Sequence, residues 1–383
     1  MNISTMRYPT NIKYGAGAVS LLPELLKEAK KNRPFLVTDK NLVEKDFLQD
    51  LITLLKDHNV NYHLYSQAQG NPTISQVTLG VENFKKHQAD SLILIGGGCA
   101  LDVGKAIGLL ATHEGSLDLY EDGLETALPI QDNIPWTVAL PTTAGTGSEV
   151  GGSAVISDDK THRKIIVWSP YMVPDFAMLD PNLSKGLPFG VTAATGFDAL
   201  THNMEAFLAK GYHPLADGIA LEGMRLVKEH LLLACYEPQN TKARGGMLLA
   251  SAMGATAFQK GLGVTHSCSH ALSTRYDLHH GFANAMMLLP CMQFNYKEVP
   301  HKFIRMANAV DIFGKEDEIV EQFFGWIAEL KSKLDFPTHL SKNSVKLTKR
   351  LIGVAYEDPC HINNPRMCNK QDFEQLFSEA IAT

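Results

Sequence analysis

The sequence predicts a chain of two domains, an α/β N-terminal half followed by an all-helical C-terminal half. Three observations lead there. The 383 residues exceed what a single hydrophobic core usually covers. Strand-like and helix-like segments alternate through the first half. Beyond about residue 184, strand-like runs become rare and apolar residues recur at helical spacing.

AVSLLPELLKEAKKN (18–32) has helical apolar spacing and a basic end. PFLVTD (34–39) is short and β-rich. FLQDLITLLKDHN (47–59) is helical, VNYHLYS (60–66) reads as a strand, and ISQVTLGVENFKKHQA (74–89) is helical again. SLILI (91–95) is a continuous apolar run, as expected of a strand covered on both faces of a parallel sheet. WTVALP (136–141) supplies a further strand. The alternation predicts a doubly wound layer. Pro and Gly punctuate DPNLSKGLP (180–188), which separates domain 1–184 from domain 185–383. In the second, the segments 196–210, 215–237, 243–259 and 318–334 all carry a 3.6-residue period.

The bulk numbers narrow the function classes. A 45% hydrophobic and 20% charged composition is that of a globular protein. A net charge of −6 and a pI near 6.2 give no footing for nucleic acid or an anionic membrane surface. Six cysteines without a CxxC pair argue against a disulfide framework and for a reducing, cytoplasmic setting. MNISTMRYPTNIKYG has no apolar core of a secretory signal. No run approaches the roughly 18 apolar residues of a membrane span.

Two glycine loops follow strands. GGGCALDVGKAIG (96–108) continues SLILI and opens a helix. Glycines there permit a tight turn and let a phosphate approach amide N–H groups at the positive end of that helix. It matches neither GxGxxG nor a Walker loop. PTTAGTGSEVGGS (141–153) follows WTVALP and is dense in glycine and hydroxyls suited to phosphate or ribose. Two such loops at strand ends point to a dinucleotide. Asp39 ends PFLVTD, where a carboxylate can accept from a ribose diol and repel a 2′-phosphate, favouring NAD over NADP. A turn or helix cap is the alternative role for that residue.

Asp198 and His202 stand four apart in GFDALTHNMEAF (196–207), so they share a helix face. GVTHSCSHALSTRYDLHHG (263–281) repeats the spacing with His266 and His270, then adds His279 and His280. Buried, unpaired carboxylates and imidazoles are costly. A shared divalent cation such as Fe(II), Zn or Mn removes that cost. Spacing alone does not bring the two segments together. Glu205, three residues after His202, reads as a surface salt-bridge partner rather than a group orienting a ligand.

These pieces resemble the iron-containing (group III) alcohol dehydrogenases. The matching segments are GGGCALDVGKAIG, PTTAGTGSEV, LDPNLSKGLP, TGFDALTHNMEAF, KGLGVTHSCSH, HHGFANAMMLLP and AYEDPCHINNPR. They run in that family's order over nearly the whole chain. The resemblance implies a Rossmann-like NAD-binding domain and a helical metal-binding domain. It implies metal ligands at Asp198, His202, His266 and His280, the last chosen over His279 because it precedes the glycine. His270 corresponds to a non-ligand histidine near nicotinamide and substrate, and is the candidate catalytic residue. Asp39, Gly97, Gly98, Asp102, Thr142, Thr143, Thr146 and Lys164 correspond to cofactor contacts.

The implied reaction is reversible hydride transfer between NAD and a primary alcohol, small diol or hydroxy acid. The alkoxide is held by Fe2+, with Zn2+ as the alternative metal. A homodimer or higher homo-oligomer is implied as well. Cys99 replaces the usual Ser, Gly151 a Thr, and Lys260 an Asn. The glycerol dehydrogenase and dehydroquinate synthase branches share this architecture and form the rival enzymatic reading. A nucleotide-binding protein without catalysis is the rival from another class.

Overall fold

The computed structural model describes residues 10–70, 72–161 and 163–381. Residues 1–9, which open the stretch MNISTMRYPTNIKYG, lie outside the described residues. The chain divides into two compact units. One runs from residue 10 to Thr143 and from Gly147 to Gly186; the other takes Ala144–Thr146 and residues 187–381. No helix of the described residues is long and apolar enough to cross a membrane.

The first unit holds strands β1 (Asn11–Tyr14), β2 (Pro34–Asp39), β3 (His63–Ala68), β4 (Ser91–Gly96), β5 (Trp136–Pro141), β6 (Ser153–Ser157), β7 (Lys164–Trp168) and β8 (Phe176–Leu179). Its helices are α1 (Leu22–Glu28), α2 (Asp46–Asp57), α3 (Ile74–Lys86) and α4 (Gly98–Thr112). Six strands form one parallel sheet in the order β1-β8-β5-β4-β2-β3. β6 and β7 pair antiparallel as a separate hairpin.

Strand alternation builds a core on each face. Phe35, Val37, Leu92 and Leu94 join Val77, Val103 and Ile107 of α3 and α4. Leu36, Ile93, Ile95 and Val138 join Leu22, Leu25, Leu48 and Leu55 of α1 and α2. Both faces are therefore covered, and that is why β4 is buried throughout and apolar from Leu92 to Ile95.

β2, β4 and β5 coincide with the expected strands. β3 begins three residues later than the expected 60–66, because pairing with β2 sets its register. β1, β6, β7 and β8 were not expected from the sequence, although β7 (KIIVW) and β8 (FAML) are short apolar runs. β1 is a four-residue edge strand with largely exposed side chains, and β6 and β7 alternate buried with half-buried positions.

The second unit contains α5 (Phe189–Leu208), α6 (Pro214–Tyr236), α7 (Thr241–Ala257), α8 (Val264–Tyr276), α9 (His280–Tyr296), α10 (Pro300–Ala309), α11 (Glu316–Lys333), α12 (Lys349–Glu357) and α13 (Lys370–Ile381). No strand occurs among its described residues. α5 is its axis, with every residue from Gly196 to Leu208 buried. Gly281 permits the close approach of α9, since a Cβ there would stand 2.2 Å from the Ala194 carbonyl oxygen.

Candidate metal centre and nucleotide loops

The strand order reverses between β2 and β4. β2 leads outward to β3, whereas β4 leads to β5 on the other side. In open α/β sheets ligands sit outside the strand C-termini at such a switch point. Thr38 is in register with Ile95, and Gly96 with Pro141, so three strand ends lie side by side. Asp39 ends β2, Gly97 and Gly98 join β4 to α4, and Thr142 and Thr143 follow β5. Gly96 turns with φ +148°, a conformation that side chains rarely adopt. Gly97 caps α4 without a side chain, leaving the first-turn amides free of a side-chain cap. Thr142 N–H donates to the Gly96 carbonyl at 2.9 Å, tying the two loops together.

The other expected cofactor residues are distributed unevenly. Asp39 Oδ1 accepts from Asn41 N–H at 2.7 Å, so the residue also serves as a cap. Asp102 accepts from Ser148 Oγ at 2.7 Å and from Val155 N–H at 3.0 Å, fastening α4 to the second glycine loop and to β6. Lys105 donates to the Ser148 carbonyl at 3.1 Å and the Gly151 carbonyl at 3.3 Å, pinning the same loop. Lys164 opens β7 opposite Ser157. Thr146 is exposed and belongs with the helical unit. Within this loop Glu149 is buried, and burial raises its carboxyl to about 7.

In the helical unit the two i,i+4 pairs converge. α5 presents Asp198 and His202, α8 presents His266, and the first residue of α9 is His280. Asp198 Oδ1 lies 3.7 Å from His202 Nδ1, 3.9 Å from His266 Nε2 and 3.3 Å from His280 Nε2. One ligand atom each from Asp198, His202 and His266 lies within 4.8 Å of the others, and all three residues are buried. His280 reaches the same oxygen from outside that trio, on a more exposed side chain.

Partners orient each group. The Gly145 carbonyl accepts from His202 Nδ1 at 3.3 Å, leaving Nε2 with its lone pair. Asn284 donates to Asp198 Oδ1 at 2.8 Å and lies 3.1 Å from His280 Nε2. Glu205 accepts from His266 Nδ1 at 2.6 Å and from the N–H groups of Gly263 (3.0 Å), Thr265 (2.6 Å) and His266 (3.3 Å). It is 1% exposed, so it orients a candidate ligand and is no surface ion-pair partner. Its proximity to His202 in sequence was the available signal, but only the packing of α8 onto α5 decides which role it takes.

The electrostatics suit a cation. Burial lowers His202 and His280 to about 4 each, so both imidazoles are neutral. Burial alone would raise Asp198, but the surrounding His202, His280 and His266 hold it well below the usual carboxylate range. Glu205 is likewise held low against its burial by its bond to His266. The buried His266 Nε2 has no hydrogen-bond partner. An ionised carboxylate, imidazole lone pairs and an orphaned buried nitrogen form an N/O donor set that fits Fe(II) or Zn.

His270 lies one turn beyond His266, its ring 5.1 Å from His280 and stacked on it. Its Nδ1 donates to Asp358 Oδ2 at 2.7 Å. Neither Asn284 nor Asp358 was singled out from sequence. Asn284 carries a local signal, four residues after His280 on one helix face; Asp358 belongs to the tail segment AYEDPCHINNPR and carries none.

Comparison with known proteins accords with this geometry. A family profile described as "Iron-containing alcohol dehydrogenase" matches residues 9–181, and one described as "Fe-containing alcohol dehydrogenase family, C-terminal" matches residues 192–381. The 4-hydroxybutyrate dehydrogenase of Cupriavidus necator is 35% identical, over 98% of this chain and 99% of its own. The NAD-dependent methanol dehydrogenase of Bacillus methanolicus is 32% identical, over 96% of each chain. A crystal structure of a 1,3-propanediol oxidoreductase superposes with a TM-score of 0.94 at 32% identity, covering 99% of this chain and 100% of that one.

Proposed function

From the premise that the chain is an enzyme of the iron-containing alcohol dehydrogenase family, we propose that it interconverts a small primary alcohol, diol or hydroxy acid and its aldehyde with NAD. Residues 1–184 form the NAD-binding domain and residues 185–383 the metal-binding domain in this reading. Asp198, His202, His266 and His280 hold the divalent cation, Fe2+ or Zn2+. The cation supplies a Lewis acid toward the alcohol oxygen, and NAD supplies the hydride acceptor.

This chain's own groups do the rest. Asp198 offsets part of the cation's charge. Glu205 keeps His266 Nδ1 protonated, so that Nε2 faces the cation. His270 accepts the alcohol proton at Nε2 and releases it to water, for which its 28% side-chain exposure gives access. Gly97, Gly98, Thr142, Thr143 and Thr146 offer amides and hydroxyls to the phosphates. Asp39 takes the adenosine ribose. Lys164 and Asp102 complete the cofactor set, Asp102 by holding the second glycine loop. The working form is a homo-oligomer.

The observation that carries this reading is the buried trio Asp198, His202 and His266 with its orphaned Nε2. Two measurements test it. Iron-loaded protein with NAD and a panel of alcohols, diols and hydroxy acids should generate NADH absorbance at 340 nm. His266→Ala should lose metal and turnover together while NAD binding by fluorescence survives; full activity in a metal-free preparation ends the proposal.

A further inference from the structure

The tail segment AYEDPCHINNPR has no part in the metal set or in the glycine loops, yet it grips α8 at two places. Asn364 Oδ1 accepts from Val264 N–H, the first residue of α8, at 3.2 Å and from Asn295 Nδ2 at 3.0 Å. Asp358 reaches the next turn of α8. Its Oδ2 accepts from His270 Nδ1 at 2.7 Å, and its Oδ1 accepts from Ser267 Oγ at 2.8 Å and from Cys360 N–H at 2.9 Å. The Ser267 hydroxyl in turn accepts from His361 N–H at 3.0 Å, so the carboxylate is held by the segment's own backbone.

We propose that Asp358 is a positioning residue for His270: it holds Nδ1 in the protonated form, fixes the ring, and presents the Nε2 lone pair to the substrate hydroxyl. The inference rests on the reading of His270 given above. Neutral imidazole carries one N–H, and the hydrogen bond made by one nitrogen decides which nitrogen keeps the lone pair. Asp358, an acceptor with no proton to give, therefore excludes the opposite tautomer. Burial would raise the Asp358 carboxyl, but His270 and the bonds from Cys360 and Ser267 hold it far below the usual range, so it stays an acceptor at any working pH. The stack of His270 on His280 sets the tilt of the ring, and Asp358 sets its rotation about that stack. Donor atoms of His270, Asp358 and Cys360 also lie within 4.8 Å of one another. A cation there would have to displace the bonds from His270 and Ser267 that already satisfy Asp358, which favours the positioning role.

The test compares wild type with Asp358→Asn, His270→Ala and the double variant, all zinc-loaded. Long-range 15N–1H correlation spectra of histidine-labelled protein, with the His270 signals assigned by their loss in His270→Ala, read the tautomer directly. The expected wild-type state is Nδ1–H. Asp358→Asn, whose amide can both donate and accept, should mix the tautomers and lower kcat by about 10- to 100-fold. KM and zinc content should be little changed. In the His270→Ala background the same substitution should cost nothing further. An Nε2–H tautomer in wild type overturns the proposal, and needs no variant to fold. Loss of zinc in Asp358→Asn overturns it too, assigning the residue to the metal centre. Wild-type turnover of Asp358→Asn beside an impaired His270→Ala refutes the positioning role alone, whereas full turnover of His270→Ala refutes the underlying role of His270.

Discussion

Glu205→Gln isolates the charge that holds His266 while keeping the side chain's shape. The carboxylate accepts one bond on Oε1, from Thr265 N–H at 2.6 Å, and three on Oε2, from Gly263 N–H, His266 N–H and His266 Nδ1. An amide keeps three of these at best, with its oxygen on the crowded side and its NH2 set against Thr265 N–H. One buried donor is then unsatisfied, at a cost of about 1–3 kcal/mol in stability. His266 also loses its anionic partner, so affinity for zinc or iron should fall by about 10- to 100-fold, equivalent to about 1.4–2.8 kcal/mol.

The pH dependence has a definite sign. Glu205 is lowered in the folded protein from an ordinary value of 4.5. Its contribution is therefore complete above that value and is lost as pH falls toward the folded-state pKa, and wild type and variant should converge in acid. Competition with a chromophoric chelator measures the affinity, and urea unfolding of the metal-free proteins at pH 7 and pH 4 measures the stability gap. A folded variant that binds zinc as tightly as wild type refutes the reasoning.

Two other substitutions probe the α/β unit. Burial raises the folded-state pKa of Glu149 from 4.5 to about 7, so the neutral acid suits the fold and stability is lost as pH rises through that interval. Glu149→Gln should stabilise the protein at pH 8 by roughly 3 kcal/mol more than at pH 4; equal urea-unfolding shifts at both pH values would contradict this. Asp39→Gly removes a charge that opposes a 2′-phosphate at a repulsion of about 1–4 kcal/mol. The ratio of kcat/KM with NADP to that with NAD should rise by about tenfold or more, and an unchanged ratio takes Asp39 out of cofactor selection.

Helical period made the face shared by Asp198 and His202, and that shared by His266 and His270, readable before any fold was known. Repeat distance along a helix is a local property. SLILI was legible for a related reason, since a strand covered on both faces needs no polar positions. β1, β6, β7 and β8 were not. They are only four or five residues long, so even the apolar KIIVW and FAML are too short to mark a strand by pattern alone. Glu205 was visible but misjudged, because exposure depends on what packs over a helix face.

The residues alone thus determined the alternating layer, the glycine loops at strand ends, the helical second half and the chemical inventory of a metal centre. Tertiary structure decided the rest: that Asp198 Oδ1 faces three imidazoles, that Glu205 holds His266, and that Asp358, 88 positions along the chain, holds His270. Spacing along a helix follows from bond geometry within a few residues. Contacts between distant segments follow from how whole helices bury their faces, which no short stretch of sequence encodes.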